Sequence, residues 1–142
     1  MKKITCLIFI SILFYSCKED KIEFVQSKAI HSLFLIKNPP LNDSLLKKEI
    51  SLFLVKNPPL NKNDDKLFYR YTFNTEDFLI SKRPGGYSRK YLDNYPEDEL
   101  AAFFISKCKN DTTKLVGRFH FYGLKGLDND VEQIDTLIYK CN

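Results

Sequence analysis

The 142-residue sequence has no tryptophan, one methionine and two histidines, and it lacks the motifs that carry most enzyme chemistry. It contains no GxSxG elbow, no HExxH or CxxC pattern and no glycine-rich phosphate loop. Its 22 basic and 18 acidic residues nearly balance, which excludes the strongly basic surface of a typical nucleic-acid-binding protein. The histidines and cysteines show no ligand spacing, so we predict no metal, no cofactor and no catalytic residue.

Two polar clusters are better explained by solvated surface than by a site. Arg118, His120 and Tyr122 alternate in GRFHFYG and are predicted to share one face of a strand, where they form a weak anion-binding candidate. Asp93 and the run 97–99 form an acidic cluster whose consecutive acids lack the alternating oxygens of a calcium loop. We therefore expect a solvated acidic turn.

One long apolar run is present, at residues 4–15 (ITCLIFISILFY), directly after Lys2 and Lys3. As a helix these residues would rise about 18 Å, which is too short for a hydrocarbon core of about 30 Å. A basic start followed by a short apolar run is typical of a secretory signal. An uncleaved helix and a buried core segment are the alternatives.

The boundary LFYSCKED, residues 13–20, resembles the end of a bacterial lipoprotein signal. The resemblance implies cleavage between Ser16 and Cys17 and attachment of a diacylglycerol to the Cys17 thiol, usually with a further acyl chain such as palmitate. Phe14 and Tyr15 depart from the commonest form of the signal, and looser forms occur in Bacteroidetes-type lipoproteins.

This resemblance divides the chain into a signal peptide (1–16), a lipidated tether (17–30) and one small domain (31–142). It also implies a cell-envelope protein that is anchored to a membrane by its lipid. Because Lys18 and not an aspartate follows the cysteine, the outer membrane is the expected one.

Cys108 and Cys141 remain after the signal is removed and Cys17 is acylated. An even pair in an exported chain predicts a disulfide, and two free buried thiols are the alternative. Thr112, in the triplet Asp111-Thr112-Thr113, resembles the O-glycosylation sites of Bacteroidetes exported proteins.

An eleven-residue segment occurs twice, as SLFLIKNPPLN at 32–42 and as SLFLVKNPPLN at 51–61. The first copy predicts a strand over 33–37 that ends before Pro39-Pro40. The second copy follows NDSLLKKEI, where Asn42 or Asp43 is a candidate N-cap. A stripe of apolar residues then predicts a helix over 43–55: Leu46, Ile50, Phe53 and Leu54. A strand over 51–55 is the rival prediction.

Downstream the apolar period changes to two. The alternation in KLFYRYTF predicts a strand through 67–73, and three further segments, 100–107, 114–123 and 133–141, predict a carboxyl-terminal meander. The expected fold is α+β, an antiparallel sheet of four to five strands with one helix packed on a face.

The layout of the chain resembles that of small Bacteroidetes lipoproteins to which no activity is assigned: an NPP motif, a charged helix, an FYR motif and a meander follow one another. Residues 37–50 and 67–73 carry this likeness, and the extra copy at 57–59 departs from it. We expect a non-enzymatic domain that binds a protein or an envelope component. An immunity lipoprotein that neutralises a toxin is one alternative, and a small hydrolase using His120 is the other.

Overall fold

In the part of the chain that the structure describes, six strands form one sheet, and their order in the sheet follows the chain. The computed structural model describes residues 21–79, 92–109, 113–127 and 132–137, with only the backbone of 136 and 137. The elements in chain order are β1 (Glu23–Gln26), β2 (Leu33–Lys37), α1 (Asp43–Lys56), β3 (Lys66–Arg70), β4 (Glu99–Lys107), β5 (Leu115–Phe121) and β6 (Gln133–Leu137), with 3-10 turns at Glu76–Phe78 and Pro96–Asp98.

The sheet is mixed. β2 and β3 are parallel, and every other neighbouring pair is antiparallel. α1 carries the chain back to the end of the sheet where β2 began, so that β3 has to run beside β2 in the same direction. The α+β class and the carboxyl-terminal meander are confirmed, and the described sheet has six strands with one parallel pair where we predicted four to five antiparallel strands. β1 also lies within 17–30, so the domain includes residues that we had assigned to the tether.

The two copies of the repeat adopt different secondary structures. In the first copy Leu33–Lys37 is β2, and in the second copy 51–56 is the last part of α1. This agrees with the predicted strand and helix and rules out the rival strand at 51–55. A nearly identical segment thus becomes a strand in one place and a helix in the other.

Local signals fix the first turn of α1. Asn42 is the N-cap, and its side-chain oxygen accepts a hydrogen bond from the N–H of Leu45 at 3.2 Å. Asp43 has another partner, since its carboxylate accepts the N–H of Leu124 at 2.7 Å from the loop after β5. The predicted stripe packs inward: Leu46, Ile50 and Leu54 are buried and Phe53 is half-buried.

α1 packs on one face of the sheet around a group of phenylalanines. Phe53 stacks on Phe24 of β1 with ring centroids 4.5 Å apart, and it meets Phe34 of β2 edge-on at 5.0 Å. Phe68 of β3 lies within 6.2 Å of all three rings. Aromatic pairs at these separations contribute beyond their buried area. This contact explains how a strand as short as β1 is held in the sheet.

The opposite face of the sheet is covered by irregular chain. Leu35, Leu67 and Tyr69 point to this face and form a second core with Phe78 and Leu92. The Ser27 hydroxyl donates to the carbonyl of Phe78 at 2.8 Å, which joins the segment after β1 to the first 3-10 turn. Part of the connection 74–98 therefore closes a core.

β3 is shorter than the predicted strand 67–73. It ends at Arg70 because the chain turns there: the Thr75 hydroxyl donates to the Arg70 carbonyl at 2.7 Å and accepts the N–H of Thr72 at 2.8 Å. Phe73, the last residue of the predicted strand, lies outside β3 and is 87% exposed.

The strand register gives the sheet two distinct ends. We call the end where the chain enters at Lys21 the proximal end. β1, β4 and β6 begin there, and β2, β3 and β5 finish there. We call the other end, where α1 finishes and the second NPP copy lies, the distal end.

Candidate functional site

The outer face of α1 carries exposed apolar side chains. Leu52 and Val55 lie on the side of the helix that points away from the buried stripe, and Val55 is 56% exposed. Leu60, just after the helix in the second NPP copy, is 88% exposed. We call these three residues the helix patch. An exposed apolar patch beside a folded core is a common mark of a protein-binding surface.

The helix patch is absent from the sites predicted from the sequence. The helix prediction used only the inward stripe, although Leu45, Leu52 and Val55 recur at i, i+7 and i+10, which is also helical spacing. The inward stripe is one apolar side of the helix, and these three residues form a second, exposed apolar side. That second periodicity was the available signal.

A cleft of about 680 Å³ lies at the proximal end beside the first NPP copy. Asn38 begins the turn with a positive φ of 50°, which an asparagine tolerates better than most residues, and Pro39 and Pro40 follow. The lining residues are Lys21, Ile22, Asn38, Pro39, Pro40, Leu41, Asn42, Leu45 and Glu49. The lining thus combines apolar side chains with two asparagines, one lysine and one glutamate, a mixture that is common in ligand-binding clefts.

The predicted anion-binding trio is only partly brought together. Arg118 and His120 alternate on β5, with Arg118 exposed and His120 half-buried, while Tyr122 is buried in the second core. His120 Nδ1 lies 2.6 Å from a carboxylate oxygen of Glu132, a residue that we had not predicted as its partner. A carboxylate at this position competes with an anion for the imidazole, so the trio remains a weak candidate.

The acidic cluster is not the solvated turn that we expected. Asp98 and Glu99 are buried, whereas Asp93 and Glu97 are exposed. Glu99 accepts a hydrogen bond from the Tyr69 hydroxyl at 2.8 Å, and Asp98 accepts one from the Thr72 hydroxyl at 2.9 Å.

Burial raises the pKa of Asp98 above 3.8, and the charge of Glu97 adds to the increase. The hydrogen bond from Thr72 and the Arg70 guanidinium act in the opposite direction. The described part of the chain holds no group of three His, Cys, Asp or Glu side chains suited to a metal ion. We interpret the buried acids as anchors for the start of β4.

Several predicted site residues lie outside the described ranges: Ser16, Cys17, Thr112 and Cys141. Cleavage, lipidation and glycosylation at these positions stay predictions. Cys108 is described, directly after β4, and is 2% exposed. Its pairing with Cys141 likewise stays a prediction.

Within the described ranges, no helix combines the length and the hydrophobicity that crossing a bilayer requires. No family model, curated protein or solved structure matches this chain.

Proposed function

We propose that this protein is a lipid-anchored lipoprotein of the cell envelope, held through Cys17, whose domain binds another protein and catalyses no reaction. The anchor rests on the lipoprotein-like boundary at 13–20. Two or three acyl chains give a durable attachment, since each buried methylene contributes about 0.8 kcal/mol.

The helix patch is the observation that carries the binding role. Leu52 and Val55 add apolar surface on the side of α1 that is not used by the core, and Leu60 adds an exposed apolar side chain just after the helix. Lys48 and Lys56 are exposed on the same helix, so the apolar centre has a charged rim. An apolar centre within a polar rim is the usual anatomy of a protein interface.

The anchor is tested by Cys17→Ser, which removes the acylated sulfur. We expect the variant to lose membrane association and to keep its full precursor length, because the lipoprotein peptidase acts on the acylated cysteine. Cell fractionation measures the membrane association, and the mass of the protein measures its length. A variant that still matures to the same size and stays with the lipids would refute the anchor.

The binding role is tested by Val55→Asp, with Ile134→Asp as the matched control. Val55 and Ile134 are both branched apolar residues, at 56% and 57% exposure, but Ile134 lies on β6, away from the helix patch. Intact lipoprotein is purified from detergent extracts with its bound proteins. We expect a stoichiometric partner with the wild type and with Ile134→Asp, and its loss with Val55→Asp. Equal recovery with both variants, or no partner with the wild type, would refute the role of this patch.

A further inference from the structure

We propose that the proximal end of the domain rests on the membrane, with Leu41 and Phe73 inserted among the lipid head groups as a second, non-covalent contact. This inference rests on the proposed lipid anchor at Cys17. The contact sets the orientation of the domain, so that the distal end and the helix patch point away from the bilayer.

The first observation is the short stretch of chain between Cys17 and the start of the described domain at Lys21. Four peptide units separate Cys17 from Lys21, so their Cα atoms lie at most about 14 Å apart. β4 alone, nine residues long, extends about 30 Å from the proximal end towards the distal end. The stretch from Cys17 to Lys21 is therefore shorter than the sheet is long, and an acylated Cys17 keeps the proximal end next to the lipid.

The second observation is the chemistry of that end. Leu41 is 99% exposed and lines the same cleft as Lys21. Phe73 is 87% exposed and follows the end of β3. Large apolar side chains this exposed make little contact with their own domain, and insertion into the interface removes them from water.

The neighbours of these side chains also suit a lipid interface. Tyr71 lies between β3 and Phe73, and the ammonium group of Lys37 is 4.9 Å from the centre of its ring. Tyrosine and lysine with apolar stems are favoured at the level of the head groups. Leu127 is 44% exposed and lies in the loop after β5. In the same loop the N–H of Leu124 donates a hydrogen bond to Asp43 at the start of α1, which places this loop at the proximal end. Three separate loops thus present apolar groups at one end.

The absence of tryptophan permits a direct test on the full lipidated chain. Leu41→Trp, Phe73→Trp and Leu60→Trp each introduce a single fluorescent reporter at a highly exposed site. Leu41 and Leu60 are matched, because both end an NPPL sequence, one at each end of the sheet. Tryptophan itself favours interfaces, and the Leu60 variant controls for that preference.

Each protein is reconstituted into phosphatidylcholine vesicles with brominated acyl chains, and quenching is compared with ordinary vesicles. We expect emission from positions 41 and 73 to be shifted to the blue and quenched at least about twofold more than emission from position 60. Iodide in the water should quench position 60 more strongly. Since the contact is apolar, added salt should leave these differences unchanged.

Two results would overturn the inference in distinguishable ways. If the vesicles carry the protein on flotation while all three reporters behave alike, the anchor stands and the oriented contact is wrong. If the protein does not float with the vesicles, the proposed anchor is wrong and the contact that rests on it is wrong too.

Discussion

Substitution of Gly126 by alanine should destabilise the domain severely. Gly126 has a positive φ of 78°, and a Cβ at this position would lie 2.3 Å from the carbonyl oxygen of Glu97. The turn cannot simply move away, because the next residue, Leu127, donates its N–H to the carbonyl of Pro96 at 2.8 Å. Gly126 thus lies directly against the backbone of the second 3-10 turn.

Two costs add at this position. A left-handed conformation costs a residue with a Cβ about 1–2 kcal/mol. Displacement of packed backbone costs about 1–3 kcal/mol more. The expected loss is about 2–5 kcal/mol, a large part of the 5–15 kcal/mol that is typical for a domain. With an m-value of about 2 kcal/mol per molar urea, the midpoint of unfolding should fall by about 1–2.5 M.

Gly126→Asn separates the two costs. Asparagine tolerates positive φ better than alanine but has the same Cβ, so it should recover at most about 1 kcal/mol. Gly123, with φ of 80°, is the comparison, because a Cβ there meets only the carboxylate of Asp43 at 3.0 Å, and a side chain moves more easily than backbone. Urea unfolding followed by circular dichroism gives the free energies. A Gly126→Asn variant as stable as the wild type would refute the role assigned to the Glu97 contact.

Two further predictions concern titration and oxidation. Because burial raises the pKa of Asp98, the folded state holds the carboxyl proton more tightly than the unfolded state. The protonated carboxyl therefore contributes its full stabilisation of the fold below pH 3.8, and this stabilisation is lost as the pH rises through the folded pKa. Asp98→Asn should therefore gain stability relative to the wild type between pH 3 and pH 7, and a constant difference in urea midpoints across that range would contradict this. If Cys108 and Cys141 are bonded as predicted, unreduced protein should yield neither cysteine in alkylated form on mass spectrometry, and reduction should cost about 3–4 kcal/mol. Recovery of both alkylated cysteines without reductant would reject the bond.

Elements with a local signal could be predicted from the sequence. The helix prediction of 43–55 differs by one residue from Asp43–Lys56, because its N-cap and its apolar stripe lie within the helix itself. The strands at 33–37 and 100–107 show the same agreement, since each is bounded by a proline, turn or charged segment that can be read nearby.

Features that depend on distant partners could not be predicted in this way. β1 has four residues and is held by the contact of Phe24 with Phe53, which is remote in the chain. Asp98 and Glu99 look like exposed turn residues until Thr72 and Tyr69 are placed beside them. The helix patch lies between these two cases: the helical spacing of Leu45, Leu52 and Val55 can be read from the sequence, but their exposure depends on what the rest of the chain leaves uncovered.

The repeated segment shows most directly how context decides structure in this protein. Its two copies differ at one position, Ile36 against Val55. Both isoleucine and valine favour strands, so this substitution does not explain why one copy is a strand and the other a helix. The second copy continues a helix that Asn42 has already capped and that Leu46 and Ile50 have already fixed to the sheet, and extending a helix is far easier than starting one. The first copy has no such start before it, and it pairs between β1 and β3. One consequence is that the two NPPL turns lie at opposite ends of the domain. Under the two proposals, Leu41 contacts lipid while Leu60 contacts a partner, so a duplication within the sequence supplies two different surfaces.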